Sequence, residues 1–173
     1  ISLLSLLVSV FVWGIIGGFL YSKTKILNFL AAVYLKIFRG TPFMIQVYIG
    51  YFALPAIGLE FSAFATGVVV LSLYTGAYMA VILKAGLETV NKGQFEAAEA
   101  LQIPYFSMMK RIILPQIAGV VLPPLTSQFI QTVKESSVLS IITITELTFQ
   151  TNAVISVTFS PFEVYLVSAL MYW

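Results

Sequence analysis

The chain has 173 residues, 60% of them hydrophobic and 9% charged, and a net charge of +2. So small a charge leaves no footprint for nucleic acid, and the absence of cysteine and histidine excludes disulfides, soft-metal sites and imidazole acid–base chemistry. An apolar fraction this high belongs to a bilayer protein, in which each spanning helix takes about 20 apolar residues.

The first 22 residues carry no charge and read as a span, about 1–22, closed by Lys23 and Lys25. No basic stretch precedes it and no small-residue cleavage pattern follows, so it does not read as a secretory signal. Ile1 and Trp173 both fall inside apolar runs, and the sequence is expected to be part of a longer chain. A second segment, about 28–55, starts at Asn28 as a cap and is apolar but for Lys36 and Arg39 up to Gly40, Thr41 and Pro42. Thr41 as cap and Pro42 in a first turn restart a helix. This leaves two readings, one kinked span or an interfacial helix followed by a short span.

The third span covers about 61–86 and holds only small or hydroxyl-bearing polar groups, among them Ser72, Thr75 and Tyr78. Gly76 and Ala80 form a small-xxx-small pair that admits a close neighbour. Glu88 stands four residues from both Lys84 and Lys92, a spacing that extends the helix beyond lipid. Lys84, Lys92, Lys110 and Arg111 place the following loop in the cytoplasm, and alternation then puts Ile1 outside.

That loop contains EAAEALQIPYFSMMKRIILP, from Glu96 to Pro115. Strong helix formers run from Glu96 to Leu101, Ile103 and Pro104 break them, and a second short helix over 105–113 presents Phe106, Met109 and Ile113 as one apolar stripe. A helix so short needs a partner protein or lipid headgroups to hold it, and the residues alone leave both open.

Span four, about 115–133, has Pro123 and Pro124 in its middle, where freed carbonyls require protein or water cover. Thr126, Gln128 and Gln131 follow, then Lys134 and Glu135. Amides and hydroxyls at that depth either line a wet cavity or tie helices together. The stretch 141–149 is too short and polar to span and reads as a short external or partly inserted helix. A last helix, 161–173 onward, starts at Ser160 and Pro161 with Glu163 as a capping-box partner.

The chain resembles the membrane permease subunit of bacterial ATP-binding-cassette importers, the polar amino-acid branch. The family's cytoplasmic signature is EAA, three residues, G, nine residues, I, one residue, LP. Glu96, Ala97, Ala98, Ile112, Leu114 and Pro115 match it, whereas Gln102 stands where glycine is expected. FRGTP at 38–42, LSLYTGAYMA at 71–80, LPPLTSQFI at 122–130 and VKESSVLSIITITEL at 133–147 resemble the amino-acid branch.

The resemblance implies an all-α membrane protein, a single permease domain with the five transmembrane helices of the type I importer fold and a coupling helix between spans three and four. It implies two nucleotide-binding ATPase subunits, a second permease chain of the same or a sister sequence, and an extracytoplasmic amino-acid-binding protein. ATP and Mg²⁺ would sit in the partner ATPase, with no cofactor here and no hydrolysis by this chain, which has no P-loop. Coupling to the ATPase would fall on 93–114 with Pro115, through Glu96, Ala97, Ala98, Glu99, Gln102, Pro104, Phe106 and Met109. The substrate pathway would take Ser72, Thr75, Tyr78, Thr126, Gln128, Gln131, Lys134 and Glu135. Glu163 is read as a cap first and as an attractor of a cationic substrate second.

At Gln102 the expectation is a corner of ordinary dihedrals helped by Pro104, since a left-handed glutamine costs roughly 1 kcal/mol. Two other function classes fit membrane composition. A gradient-driven secondary transporter would need repeats or a buried coupling carboxylate, and a non-transporting scaffold would not need the polar half of span four.

Overall fold

Apolar runs without a polar break fold as unbroken helices, and two of them frame the molecule: α1 (Ser2–Leu20) and α4 (Ala63–Glu88). The computed structural model describes residues 1–20 and 24–173; Tyr21, Ser22 and Lys23, the predicted close of the first span, lie outside the described residues. Ser62 caps α4 by accepting from the Ala65 amide at 3.2 Å. At the other end Lys84 pairs with Glu88 at 3.7 Å.

α1 and α4 run in the same direction and meet through small residues. Ile1 lies beside Gly67, Val12 beside Gly76 and Leu83 beside Gly17. A β-carbon on Gly76 would come within 2.7 Å of Val12 Cγ1 and 3.4 Å of the Ser9 carbonyl oxygen. Such closeness lets hydroxyls reach across: Ser72 Oγ donates to the Ser5 carbonyl at 3.1 Å and Ser9 Oγ reaches Met79 Sδ at 3.3 Å. Lipid supplies no hydrophobic drive between helices, so close packing and hydrogen bonds of this kind hold the pair.

The return through the membrane is one helical rod of 38 residues, Tyr105–Ile142. It comprises α6 (Tyr105–Met108), a π turn (Met109–Ile113), α7 (Leu114–Glu135) and a 3₁₀ end (Ser136–Ile142). A break before Pro115 was the simpler expectation; the structure has none. The Leu114 amide bonds to the Met109 carbonyl across the π turn, so the register is already shifted where Pro115 lacks its N–H. The same device precedes Pro55, where the π turn Ile49–Ala53 lets Leu54 N–H reach the Ile49 carbonyl at 3.1 Å. There the helix stops, because Gly58 adopts φ +83.

α7 is antiparallel to α4. Thr75 Oγ1 and Thr132 Oγ1 lie 3.1 Å apart, and further along Gly86 faces Val121. This register brings Pro123 and Pro124 level with Leu83 and Lys84. The prolines therefore lie beside the Lys84 end of α4, at the midpoint of the 38-residue rod.

Between α1 and α4 the chain makes an elbow. α2 (Lys25–Gly40) and the following helical run Phe43–Ile57, which begins with α3 (Phe43–Tyr48), are bent by 107°. The second predicted segment is thus two rods joined at a sharp bend. Gln46 fastens the bend: its Nε2 donates to the Phe38 carbonyl at 2.9 Å, the Thr41 carbonyl at 3.1 Å and Thr41 Oγ1 at 2.8 Å.

After Thr143, in the left-handed region at φ 63, Glu146 caps α8 (Leu147–Thr158) by accepting from Thr148 N at 2.9 Å and Phe149 N at 2.7 Å. The helix expected over 141–149 is therefore a 3₁₀ end followed by a cap, and the true helix lies later. α9 (Pro161–Tyr172) starts on Pro161 as expected, but Ser160 makes no side-chain cap bond, so the capping box with Glu163 is not formed. The tie between α8 and α9 is instead Tyr172 O–H donating to Glu146 Oε2 at 2.8 Å, with Thr151 bonded to Ser168.

Among the described residues no strand occurs. Three helical stretches, Ser2–Leu20, Ala63–Glu88 and Tyr105–Ile142, are long and apolar enough to cross a membrane, with a fourth if the bent pair counts as one span.

Candidate functional site

The first candidate site is the segment between α4 and the rod. Asn91 caps α5 (Lys92–Ala100), its side chain accepting from Gly93 N at 2.8 Å, so the helix begins before the expected Glu96. α5 ends in a Schellman motif: Ile103 N–H bonds to the Ala98 carbonyl and Gln102 N–H to the Glu99 carbonyl, both at 2.9 Å. The residue that closes this motif must turn left-handed, and Gln102 does so at φ 53. The expectation of ordinary dihedrals is therefore wrong. The signature glycine position is the left-handed C′ residue of α5, and here glutamine bears the cost. Gln102→Gly should then keep full transport and raise the thermal midpoint of the purified complex slightly, since a left-handed non-glycine costs about 1–2 kcal/mol, whereas Gln102→Val should lower both.

Burial divides this segment into a seat and a tip. Ala98, at 3% exposure, packs in one core cluster with Met108, Ile113 and Leu87, flanked by Phe95 and Ile103. Glu96, Ala97, Glu99, Gln102, Pro104 and Pro115 are exposed and Met109 is half-buried. Phe106 is 75% exposed while Ile113 is fully buried, so the expected Phe106–Met109–Ile113 stripe does not exist. The π turn adds a residue to that turn, which rotates Met108 inward and leaves Phe106 outward. Leu101 and Tyr105, not anticipated, join Phe106 in an exposed apolar corner around Gln102. A notch of about 380 Å³ beside it is lined by Phe95, Glu99, Ile103, Tyr105 and Met108.

The second candidate site joins α4 and α7. Glu135 Oε1 accepts from Tyr74 O–H at 3.3 Å and from Gln131 Nε2 at 3.0 Å. Tyr74 and Tyr78 hydroxyls lie 3.4 Å apart, and the Arg39 guanidinium sits 5.3 Å from the Tyr78 ring centre. Of the predicted pathway residues the structure brings together Tyr78, Gln131 and Glu135. Tyr74, which span three also offers as a polar group, joins them one turn before Tyr78; Arg39 had not been selected for this site, and nothing in its local sequence marks it out.

The others go elsewhere. Ser72 and Thr75 are fully buried; the Ser72 hydroxyl bonds to the Val68 carbonyl of its own helix and the Ser5 carbonyl of α1, and Thr75 meets Thr132 of α7. Thr126 is exposed, its hydroxyl bonded to the Leu122 carbonyl at 3.0 Å. Gln128 is half-buried, with a buried Nε2 that has no hydrogen-bond partner among the described residues. Lys134 borders a recess with Ser137, Ala169 and Tyr172. Glu163 borders a groove between α8 and α9 that shares no residue with the Tyr78–Glu135 group.

A rod long and apolar enough to cross a bilayer, joined to a cradled polar segment, is the geometry of a membrane component. Residues 10–173 match the family described as binding-protein-dependent transport system inner membrane component. The chain is 41% identical over 153 residues to a putative glutamine transport system permease protein GlnP of Rickettsia typhi, covering 88% of this chain and 70% of that one. It is 39% identical over 148 residues to the probable glutamine ABC transporter permease protein GlnM of Bacillus subtilis, covering 86% and 68%. A crystal structure of an amino acid ABC transporter with histidines superposes with a TM-score of 0.88 at 34% identity, over 99% of this chain and 80% of that chain. This chain belongs to the family of inner-membrane permease components of binding-protein-dependent transport systems, and it has that fold. It is a multi-pass membrane protein.

Proposed function

We propose that this chain is the permease subunit of an ATP-driven importer of polar amino acids. An ATPase subunit docks against the exposed tip of 93–114, a second permease chain pairs with this one, and an extracytoplasmic binding protein delivers the substrate. ATP and Mg²⁺ are handled in the ATPase. The Ile1 end of α1 faces outside and the α5–α6 segment faces the cytoplasm, where the lysines and arginine of the loop accumulate.

The observation that carries this reading is mechanical: Ala98 and Met108 of the loop lie in the same buried cluster as Met79 and Leu87 of α4 and Ile113 to Leu125 of the rod. A push on the tip is therefore transmitted to two spans as a unit. Pairing is supported by α7, whose Gln131 and Lys134 are exposed. Lipid meets neither the amide nor the ammonium, whereas a facing permease chain or a wet path does. At that face Glu135 is the acceptor for the substrate ammonium.

The test is uptake into vesicles holding the complete complex, with ATP on the loop side and labelled glutamine plus binding protein on the other. Uptake should require ATP and be indifferent to proton or sodium gradients. Gradient-driven uptake without ATP would establish the secondary-transporter reading instead.

A further inference from the structure

Resting on the reading of Glu135 as the substrate acceptor, we infer that Arg39 is a positioning residue, which holds the Glu135 carboxylate in register through Tyr78 and Tyr74 and so ties the elbow between α2 and α3 to the substrate path. The elbow touches the tyrosine pair at two points. Arg39, just before the bend, lies over the Tyr78 ring at 5.3 Å, within the range of a cation–π contact. Phe43, just after it, packs on Tyr74 with ring centres 4.9 Å apart. Gln46 locks the bend between them with its three hydrogen bonds. The tyrosine rings also pack on each other at 4.9 Å.

The proton order within the chain follows from valence. Tyr74 has one hydroxyl proton and two neighbours within reach, Tyr78 and Glu135. A bond to a carboxylate is about twice as strong as one between neutral groups, so of the two acceptors open to the Tyr74 hydroxyl the Glu135 carboxylate holds the proton more strongly, and the contact with the Tyr78 oxygen is the weaker branch. Among the described residues Glu135 has no salt-bridge partner, and both its donors act on Oε1. The carboxylate is therefore aimed by neutral hydroxyl and amide groups, and Arg39, two rings away, is the charged group that orders them. The hydroxyl contacts of 3.3 and 3.4 Å exceed the usual O–H···O length by about half an ångström, so a small movement of the elbow makes or breaks them.

The experiment measures equilibrium binding of labelled glutamine and arginine to the purified permease–ATPase complex without binding protein, beside ATP-driven uptake at saturating loaded binding protein. Glu135→Gln, Arg39→Met and Tyr78→Phe should each weaken binding of the better-bound amino acid about tenfold, roughly the loss of one charge-assisted hydrogen bond. Arg39→Met should add nothing to Glu135→Gln, and Arg39→Lys, which keeps the cation, should stay within about twofold of wild type. Tyr78→Phe keeps the ring beneath Arg39 and so separates loss of the hydroxyl contact with Tyr74 from loss of folding. If Glu135→Gln weakens binding while Arg39→Met leaves it unchanged or acts additively, the positioning role is overturned and the acceptor reading stands. If Glu135→Gln has no effect, or the wild-type complex binds neither amino acid, both are overturned.

Discussion

Ala98→Glu should abolish ATP-driven uptake, to less than about a tenth of wild type, and the complex should lose its ATPase subunit on purification. Ala98 is 3% exposed among Met108, Ile113 and Leu87, and its carbonyl receives the Schellman bond from Ile103. A carboxylate there has no donor to meet it, and an unpaired buried polar group costs several kcal/mol, so α5 would lift off the rod. Once α5 is displaced, a docked ATPase no longer pushes on anything. Ala98→Ser, which adds one small hydroxyl, should keep most of the uptake. Co-purification of the ATPase and vesicle uptake, measured on both variants, check this; wild-type behaviour of Ala98→Glu would show that the seat transmits no load.

Gly76→Leu should reduce the amount of folded permease in the membrane severalfold and lower the thermal midpoint of what remains. Even the first added carbon would lie 2.7 Å from Val12 Cγ1 and 2.9 Å from Val12 Cβ, so α1 must move away from α4. Overpacking of that kind costs about 1–3 kcal/mol, and it also separates Ser72 from the Ser5 carbonyl and Ser9 from Met79. Gly14→Leu on α1 is the control, because a β-carbon there meets nothing within 4 Å. Equal tolerance of the two substitutions, read by membrane-fraction quantification and detergent thermal unfolding, would contradict the close α1–α4 contact.

What could be read from the residues followed the physics of long uniform segments. α1 and α4 announced themselves by apolar length, and the polar interlude around Glu96 to Pro115 stood out against them. Gly76 was legible as a close-approach position, although only the folded chain shows that α1 is the helix that approaches. Local backbone detail was not legible. A π turn has no composition signature, so neither the unbroken rod through Pro115 nor the rotation that buries Met108 and exposes Phe106 could be anticipated. Gln102 misled for a related reason: its left-handed conformation is imposed by the two hydrogen bonds that close α5, and a side chain that disfavours it gives no warning. Glu146 read as a polar interruption, because glutamate is not among the usual N-cap residues and its third partner, Tyr172, arrives only once α9 has packed.

The Glu135 cluster was half legible. Gln131 and Glu135 are one turn apart and could be paired from spacing alone, and Tyr78 was chosen as a rare polar group at depth. Tyr74 stands one turn before Tyr78 on α4, whereas Arg39 enters from α2, and only the elbow bent by 107° brings it there. The same tertiary placement commits the Ser72 and Thr75 hydroxyls to helix contacts, since a hydroxyl in an apolar helix is as readily spent on a neighbouring helix as on a solute.

The central claim is that force from a nucleotide-hydrolysing partner enters this chain at the tip between α5 and α6. The most direct measurement places a photo-crosslinking residue at Phe106 in the complex and asks what it captures. A covalent adduct with the ATPase subunit, whose yield changes on ATP addition, is the predicted result. An adduct with lipid alone, in a complex that still imports at the wild-type rate, would contradict the account.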